Sequence, residues 1–158
     1  MTEIRSARQS DMPSLLGLIE GKAEFDGGRH LLRASASELE EAFFGASPGC
    51  EVLVADCESE LLGFATYFQT FSTFLARPGL WLDDLFIAPH ARSGGIGKMF
   101  MRELARRAVQ KGCGRIEWTV AASNERGISF YQREGANVRE DGRLVRLDAD
   151  GLTNLAST

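Results

Sequence analysis

Six consecutive residues, Arg92-Ser93-Gly94-Gly95-Ile96-Gly97, have the most chemically suggestive spacing in this chain. They separate an apolar stretch, Leu80 to Ala88, from an amphipathic one. The start of a helix presents unpaired backbone N–H groups and a partial positive charge. Gly94, Gly95 and Gly97 carry no β-carbon, so a ligand can approach the main chain closely. Arg92 and Lys98 add positive charge at the same end. Together these features make a site for a phosphate or pyrophosphate. The competing reading is a glycine-rich turn with no ligand. The position before a periodic helix, with Arg92 in front, favours the anion. Two familiar phosphate loops are set aside. A P-loop needs GxxxxGK followed by Ser or Thr, but Arg92 stands at the first glycine position and Met99 follows Lys98. A dinucleotide fingerprint needs GxGxxG; counted from Gly95 and Gly97 it ends on Phe100. It also expects an acidic residue at the end of the next strand, which the stretch to Val120 does not clearly supply.

Asp83 and Asp84 interrupt the apolar run before this loop. Adjacent strand residues point to opposite faces, so at most one of the two is expected in a given pocket. A charge inside a buried strand is costly unless paired or wetted, which suggests a cleft. Capping or ion pairing with a neighbouring element is the alternative. Tyr131, judged by helical spacing alone, is a core tyrosine. His30 and His90 build no triad, and no Gly-x-Ser-x-Gly elbow is present. Arg29 and His30 lie in a loop that could line an acceptor side. Cys50, Cys57 and Cys113 form no CxxC pair and no His/Cys cluster, so no metal site is expected. They read as reduced thiols of a cytosolic protein.

These residues need a scaffold. Glu3 to Ala7 reads as a strand. A helix follows, with Ser10-Asp11 as its cap and Leu15, Leu16, Ile19 and Ala23 at helical spacing, until Gly27-Gly28. Ser35 to Phe44 reads as a second helix, with Ser37 and Glu40 as a capping box. Its outward face, with Glu38, Glu40 and Glu41, is acidic. Strands are expected at Glu51 to Ala55, Leu61 to Phe71 and Leu80 to Ala88, with a turn at Glu58-Ser59. In the next helix Gly97, Phe100, Met101, Leu104, Ala105 and Ala108 form one apolar stripe. Its basic face, with Arg102, Arg106 and Arg107, reads as solvated, and Gly112 ends it. A strand from Arg115 to Val120, a helix capped by Asn124 and ended by Gly135, and short strands at Asn137 to Arg139 and Arg143 to Leu147 complete the set. Asp148 begins a last turn of helix. The order describes an α/β mixture around one central sheet, as a single domain over residues 1–158. The strand-helix-strand stretch from Leu80 to Val120 predicts parallel strands.

The chain has 158 residues and a net charge of −4. That balance argues against a nucleic-acid partner and suits a cationic substrate. The opening Met-Thr-Glu-Ile-Arg lacks the apolar core of a signal peptide. No apolar run approaches the roughly 20 residues needed to span a bilayer. A cytoplasmic protein without membrane association is the expectation.

Arg92-Ser93-Gly94-Gly95-Ile96-Gly97 resembles the acetyl-CoA signature of the GCN5-related N-acetyltransferases, R/Q-x-x-G-x-G/A, at every defined position. Asn124, Ser129-Phe130-Tyr131 and Gly135-Ala136 are similar to the family's second segment, N-x-x-(A/S)-x-x-(F/L)-Y-x-x-x-G. Ile4-Arg5-x-Ala7 with Asp11 and Leu15 resembles its first strand and helix. Leu80-Trp81-Leu82-Asp83-Asp84-Leu85-Phe86-Ile87 is similar to the strand Y-L-E-D-F/L-F/Y-V of the diamine branch, which acts on spermidine, spermine or thialysine. Gly142-Arg143-Leu144 through Asp148 follows that branch too. The branch carries Glu where this chain has Asp83, one methylene shorter.

The resemblance implies a mixed, mostly antiparallel sheet with a parallel strand-helix-strand cofactor core. It implies acetyl-CoA as cosubstrate. The loop from Arg92 to Lys98 would hold the pyrophosphate. Main-chain groups around Phe86 and Ile87 would bind the pantetheine arm, and Asn124, Ser129 and Tyr131 would contact CoA. Tyr131 would protonate the departing thiolate. Asp83 would bind the amine or accept its proton, and Asp84 would bind substrate. A homodimer is implied, because dimers are common in the branch. The expected reaction is direct attack in a ternary complex by a small-molecule amine, such as a polyamine or an amino-acid side chain. Two alternatives stand beside it: a protein lysine or N-terminus as acceptor, and a non-catalytic acyl-CoA sensor, against which the retained Tyr131 argues.

Overall fold

The computed structural model describes residues 1–58 and 60–157. The chain divides into two compact units, Met1–Thr119 and Val120–Thr158. The first unit holds β1 (Thr2–Ser6), α1 (Met12–Phe25), α2 (Ala36–Phe44), β2 (Glu51–Cys57), β3 (Glu60–Ser72), β4 (Arg77–Ile87), α3 (Ile96–Gln110) and β5 (Ile116–Glu117). The strands form one sheet in the order β1-β2-β3-β4-β5. The first four are antiparallel, and β4 pairs with β5 in parallel through the α3 crossover. This is the mixed, mostly antiparallel sheet that the family resemblance implies, with the parallel strand-helix-strand stretch expected from the order of the elements.

The central strands are apolar on consecutive residues because both faces of the sheet are covered. Leu53, Ala55, Ala65, Tyr67, Leu80 and Leu82 pack against Ile96, Phe100, Leu104 and Ala108 of α3. Val52, Val54, Phe64 and Phe86 pack against Met12, Leu15 and Leu18 of α1, with Leu39, Phe43 and Phe44 of α2 beside them.

Several local expectations change. Asp11 stands at the N-cap position, just before α1, but its carboxylate does not cap the helix. It pairs instead with the Arg5 guanidinium at 2.7 and 3.0 Å and accepts the Arg8 N–H at 2.7 Å. The capping box of α2 is Ser35 with Glu38, not Ser37 with Glu40. Ser35 leads because its backbone is extended just before the helix, as a cap requires. Glu40 accepts from the Gln9 amide at 2.5 Å. Glu58 takes a left-handed φ of 53° in the turn expected there; Ser59 lies outside the described residues. The α3 stripe starts at Ile96, and Ala105 is exposed. Gly27, Gly112 and Gly135 all take positive φ past helix ends, as expected.

Arg107 is the largest change on α3. It is a hub, not a solvated cation. Its guanidinium donates to the Tyr67 hydroxyl at 2.9 Å, the Ser6 hydroxyl at 2.9 Å and Glu103 at 2.7 Å. Tyr67 in turn donates to Glu51 at 2.7 Å. Burial, reinforced by that bond, pushes the Tyr67 phenol up to about 12.

The second unit holds α4 (Glu125–Arg133) and α5 (Ala149–Ala156). Asp148 caps α5 by accepting the Gly151 N–H at 2.9 Å. The strands expected at Asn137 to Arg139 and Arg143 to Leu147 do not form. Short strands need a ladder partner, and no strand lies within this unit among the described residues. Arg139 bonds locally to Asp141 instead, at 3.1 and 2.6 Å.

Candidate active site

A short 3-10 turn, Pro89–Ala91, carries the chain from β4 into the glycine loop. Ser93 then takes φ 71° and Gly95 takes φ 79°. A left-handed non-glycine residue costs about 1 kcal/mol or more, so this loop is held in a set shape. Gly95 is the residue before α3, and no side chain caps the helix there. Gly95 itself has no side chain to offer the first-turn N–H groups. A β-carbon on Gly95 would meet nothing within 4 Å, whereas one on Gly94 would sit 3.5 Å from the Ala91 carbonyl. Ile96 is 5% exposed and anchors the helix in the core. Ser93 and Lys98 are exposed, and Gly97 is half-buried.

Arg92 does something different from its neighbours. Its guanidinium lies 4.6 Å from the centroid of the Phe25 ring and 5.5 Å from that of Phe86. Its Nε–H donates to the Ile87 carbonyl at 3.0 Å. Arg92 thus ties the loop to the end of β4 and to the last turn of α1.

The second feature is the edge of β4. It pairs with β5 only at Leu80↔Ile116 and Trp81↔Glu117. From Leu82 to Ile87 that edge has no strand partner among the described residues, although β3 stays paired on the other side. Unpaired backbone groups need partners. Gly63 lets β3 approach this stretch closely: a β-carbon there would fall 2.5 Å from the Phe86 carbonyl oxygen. A strand edge without a strand partner, running toward a glycine-led helix start, suits a ligand with an amide-bearing arm and a pyrophosphate, which is the shape of acetyl-CoA.

The third feature overturns the expected geometry of the carboxylates. Thr66 pairs with Asp84 and Tyr67 with Leu82, so Asp83 is an extra residue in a β-bulge. Before the bulge, Leu80 and Leu82 face α3; after it, Leu85 and Ile87 do. Asp83 and Asp84 therefore both fall on the face toward α1. The contacts agree. Asp83 accepts the indole N–H of Trp81, two residues back, at 3.2 Å. Asp84 accepts from the Lys22 ammonium at 2.9 Å and from the Thr66 hydroxyl at 3.2 Å. Burial pushes the Cys50 thiol up, and the charges of Asp83 and Asp84 push it the same way.

Lys22 was not legible as a site residue. Its ammonium bridges Asp84 and Asp26. Burial opposes its charge, but those two carboxylates outweigh burial and hold it above its ordinary value. Its sequence signal was the i, i+4 spacing to Asp26. Asp26 and Glu38 are taken up by Lys22 and by the Ser35 cap. Arg29 pairs with Glu20 at 3.2 Å on the surface.

In the second unit, Asn124 caps α4 by accepting the Gly127 N–H at 2.9 Å. Ser129 is exposed, and Tyr131 is half-buried with its ring 5.1 Å from that of Phe130. Asp83, Asp84, Phe86, Ile87 and the residues from Arg92 to Lys98 belong to the first unit; Asn124, Ser129 and Tyr131 belong to the second. Among the described residues no cluster of His, Cys, Asp and Glu could hold a metal ion. No described helix is long and apolar enough to cross a membrane.

Residues 17–136 match the sequence model of the acetyltransferase (GNAT) family, across the boundary between the units. A thialysine N-epsilon-acetyltransferase of Mus musculus is 30% identical over 166 residues, covering 98% of this chain and 97% of that protein. An L-ornithine N5-acetyltransferase of Arabidopsis thaliana is 39% identical over 90 residues, covering 57% of this chain and 40% of that protein. Among solved structures, an integron cassette protein from the mobile metagenome of V. cholerae superposes with a TM-score of 0.84 at 28% identity, covering 99% of this chain and 98% of that one.

Proposed function

Because the chain belongs to the GNAT acetyltransferase family, and is an acetyl-CoA-dependent N-acetyltransferase, we propose that its acceptor is a small-molecule primary amine. A polyamine or an amino-acid side chain fits, attacking directly within a ternary complex. One observation carries this reading: Asp83 and Asp84 stand side by side on one face of β4, where it loses its β5 partner. Paired carboxylates beside an open edge attract a compact cation. The names of the thialysine and ornithine acetyltransferase relatives point the same way.

Acetyl-CoA supplies an electrophilic thioester carbonyl and a sulfur leaving group. The glycine loop and the first turn of α3, with Ser93, Gly94, Gly95, Ile96, Gly97 and Lys98, would hold its pyrophosphate through backbone N–H groups. Arg92 shapes that loop from behind. The free edge of β4 around Phe86 and Ile87 lines up the arm. An acceptor ammonium has an ordinary pKa near 10.4 and must lose a proton to become nucleophilic. Asp83 takes that proton, directly or through water. Asp84 adds negative charge beside it. The Tyr131 hydroxyl supplies the proton that the departing sulfur needs, and Asn124 and Ser129 belong to the cofactor side. The family match across both units supports residues 1–158 as one catalytic domain. The family reading also carries a homodimer in the cytoplasm, without a nucleic-acid or membrane partner.

The test is a thiol-release assay with acetyl-CoA and a panel: spermidine, 1,4-diaminobutane, ornithine, thialysine, lysine and a lysine-bearing peptide. Small amines are expected to exceed the peptide in kcat/KM by about tenfold or more. Thiol release with the peptide alone would overturn the small-molecule reading. No release with any acceptor would overturn the whole proposal.

A further inference from the structure

Both oxygens of Asp84 already have partners inside the protein: Lys22 at 2.9 Å on one and the Thr66 hydroxyl at 3.2 Å on the other. Asp83, on the same face, accepts only the neutral indole N–H of Trp81 and has no cationic partner among the described residues. Lys22 is itself a primary ammonium on a four-carbon stem, chemically a copy of the amine that the reaction consumes. Its side chain is 21% exposed, so it reaches Asp84 from α1 without being sealed away.

We propose that Lys22 determines acceptor specificity: its ammonium holds Asp84 in the place that a diamine's second ammonium would take. The inference rests on the reading that the reacting amine docks at Asp83. A diamine entering there would bring its far ammonium toward Lys22. It would then have to displace Lys22 from two carboxylates or share them against like-charge repulsion. An acceptor whose far end is neutral meets no such repulsion. One with a carboxylate at its far end gains more. Lysine has three N–H donors; Asp26 and Asp84 engage two, and the third suits an incoming carboxylate oxygen. Of the two small-molecule classes proposed above, Lys22 selects the amino acid over the polyamine. This is specificity by a built-in repulsive element as well as an attractive one.

Three acceptors test this, each with a five-carbon aliphatic arm on the reacting amine that ends in a carboxylate, in no further group or in a second amine: 6-aminohexanoate, 1-aminopentane and 1,5-diaminopentane. In the wild-type protein KM is expected to rise in that order. In Lys22→Met, which keeps the apolar stem, the ratio of the diaminopentane KM to the aminohexanoate KM should fall by about tenfold or more. Lys22→Arg keeps the charge and should hold the ratio within about threefold of wild type. If Lys22 only fastens α1 to β4, Lys22→Met will lower kcat and Tm and leave the ratio unmoved, and the proposal fails. If Lys22→Met does not fold, the wild-type series still decides, because a preference for diaminopentane over aminohexanoate overturns it. The underlying reading has its own control. Asp83→Asn should raise KM for all three acceptors; if it raises none, the amine does not dock at Asp83, whatever Lys22 does.

Discussion

Asp83 and Asp84 are neighbours in sequence, yet both lie on the α1 face of β4 because Asp83 is the extra residue of a β-bulge. One is bonded to a neutral indole and the other to a cation. Their roles should separate accordingly. Asp83→Asn is expected to lower kcat/KM by about 10²-fold or more, the scale of a lost general base. Asp84→Asn should instead destabilise the fold by about 1 kcal/mol, because it removes a partner of the partly buried Lys22 ammonium. Steady-state kinetics beside urea unfolding of both variants checks this. A stable Asp83→Asn with full activity would end its role as base.

The two glycines of the loop should also differ. Gly95 has φ 79°, whereas a β-carbon on Gly94 would make an ordinary 3.5 Å contact. Gly95→Val should weaken acetyl-CoA binding by about tenfold or more and cost about 1 kcal/mol of stability, while Gly94→Ala should change stability by less than about 0.5 kcal/mol. Calorimetric titration with CoA and thermal unfolding give both numbers. Equal CoA affinity in Gly95→Val and wild type would remove the loop from the cofactor site.

Tyr131→Phe keeps the ring and removes the hydroxyl. If that hydroxyl is the proton donor, kcat should fall by about 10²-fold or more while CoA affinity stays within about twofold. A variant with undiminished kcat would show that the proton comes from elsewhere.

Arg107 is expected to matter for stability. Its guanidinium links Tyr67, Ser6 and Glu103. Arg107→Met should cost about 2 kcal/mol by leaving the buried Tyr67 phenol and the Glu103 carboxylate short of a partner. Urea unfolding measures it; an unchanged midpoint would mean that water replaces the guanidinium without loss.

Glu103 supplies the pH signature of the same network. Hydrogen bonds from Arg106, then from Arg107, outweigh burial and bring its carboxyl from an ordinary 4.5 to about 2. The folded state therefore holds this proton less tightly than the unfolded chain. Its contribution is complete above about pH 4.5 and fades as pH falls toward about 2. The Tm difference between wild type and Glu103→Gln should accordingly shrink across that interval. A difference independent of pH would show that the carboxylate charge does not stabilise the fold.

Much of the architecture was readable from local pattern. The apolar runs of β2, β3 and β4, the 3.6-residue period of α3 and the glycines that end helices are near-neighbour properties. The Asn124 and Asp148 caps were readable for the same reason: each bonds a backbone N–H three residues away. The short strands after Gly135 were misjudged because a strand depends on its ladder partner, and alternation over a few residues does not supply one.

By itself the sequence determined the glycine loop before α3, the order of the elements through α4 and the family, because each is written in residues adjacent along the chain. Only the tertiary structure decided how the charged groups are used. A single inserted residue in the β4 register brought Asp83 and Asp84 onto one face. Packing of α1 against that face delivered Lys22 to Asp84, 62 residues away in sequence. Packing of α3 against the other face turned Arg107 from a surface cation into the partner of Tyr67, 40 residues away. Which charges meet depends on register and packing between distant segments, and local spacing carries no record of either.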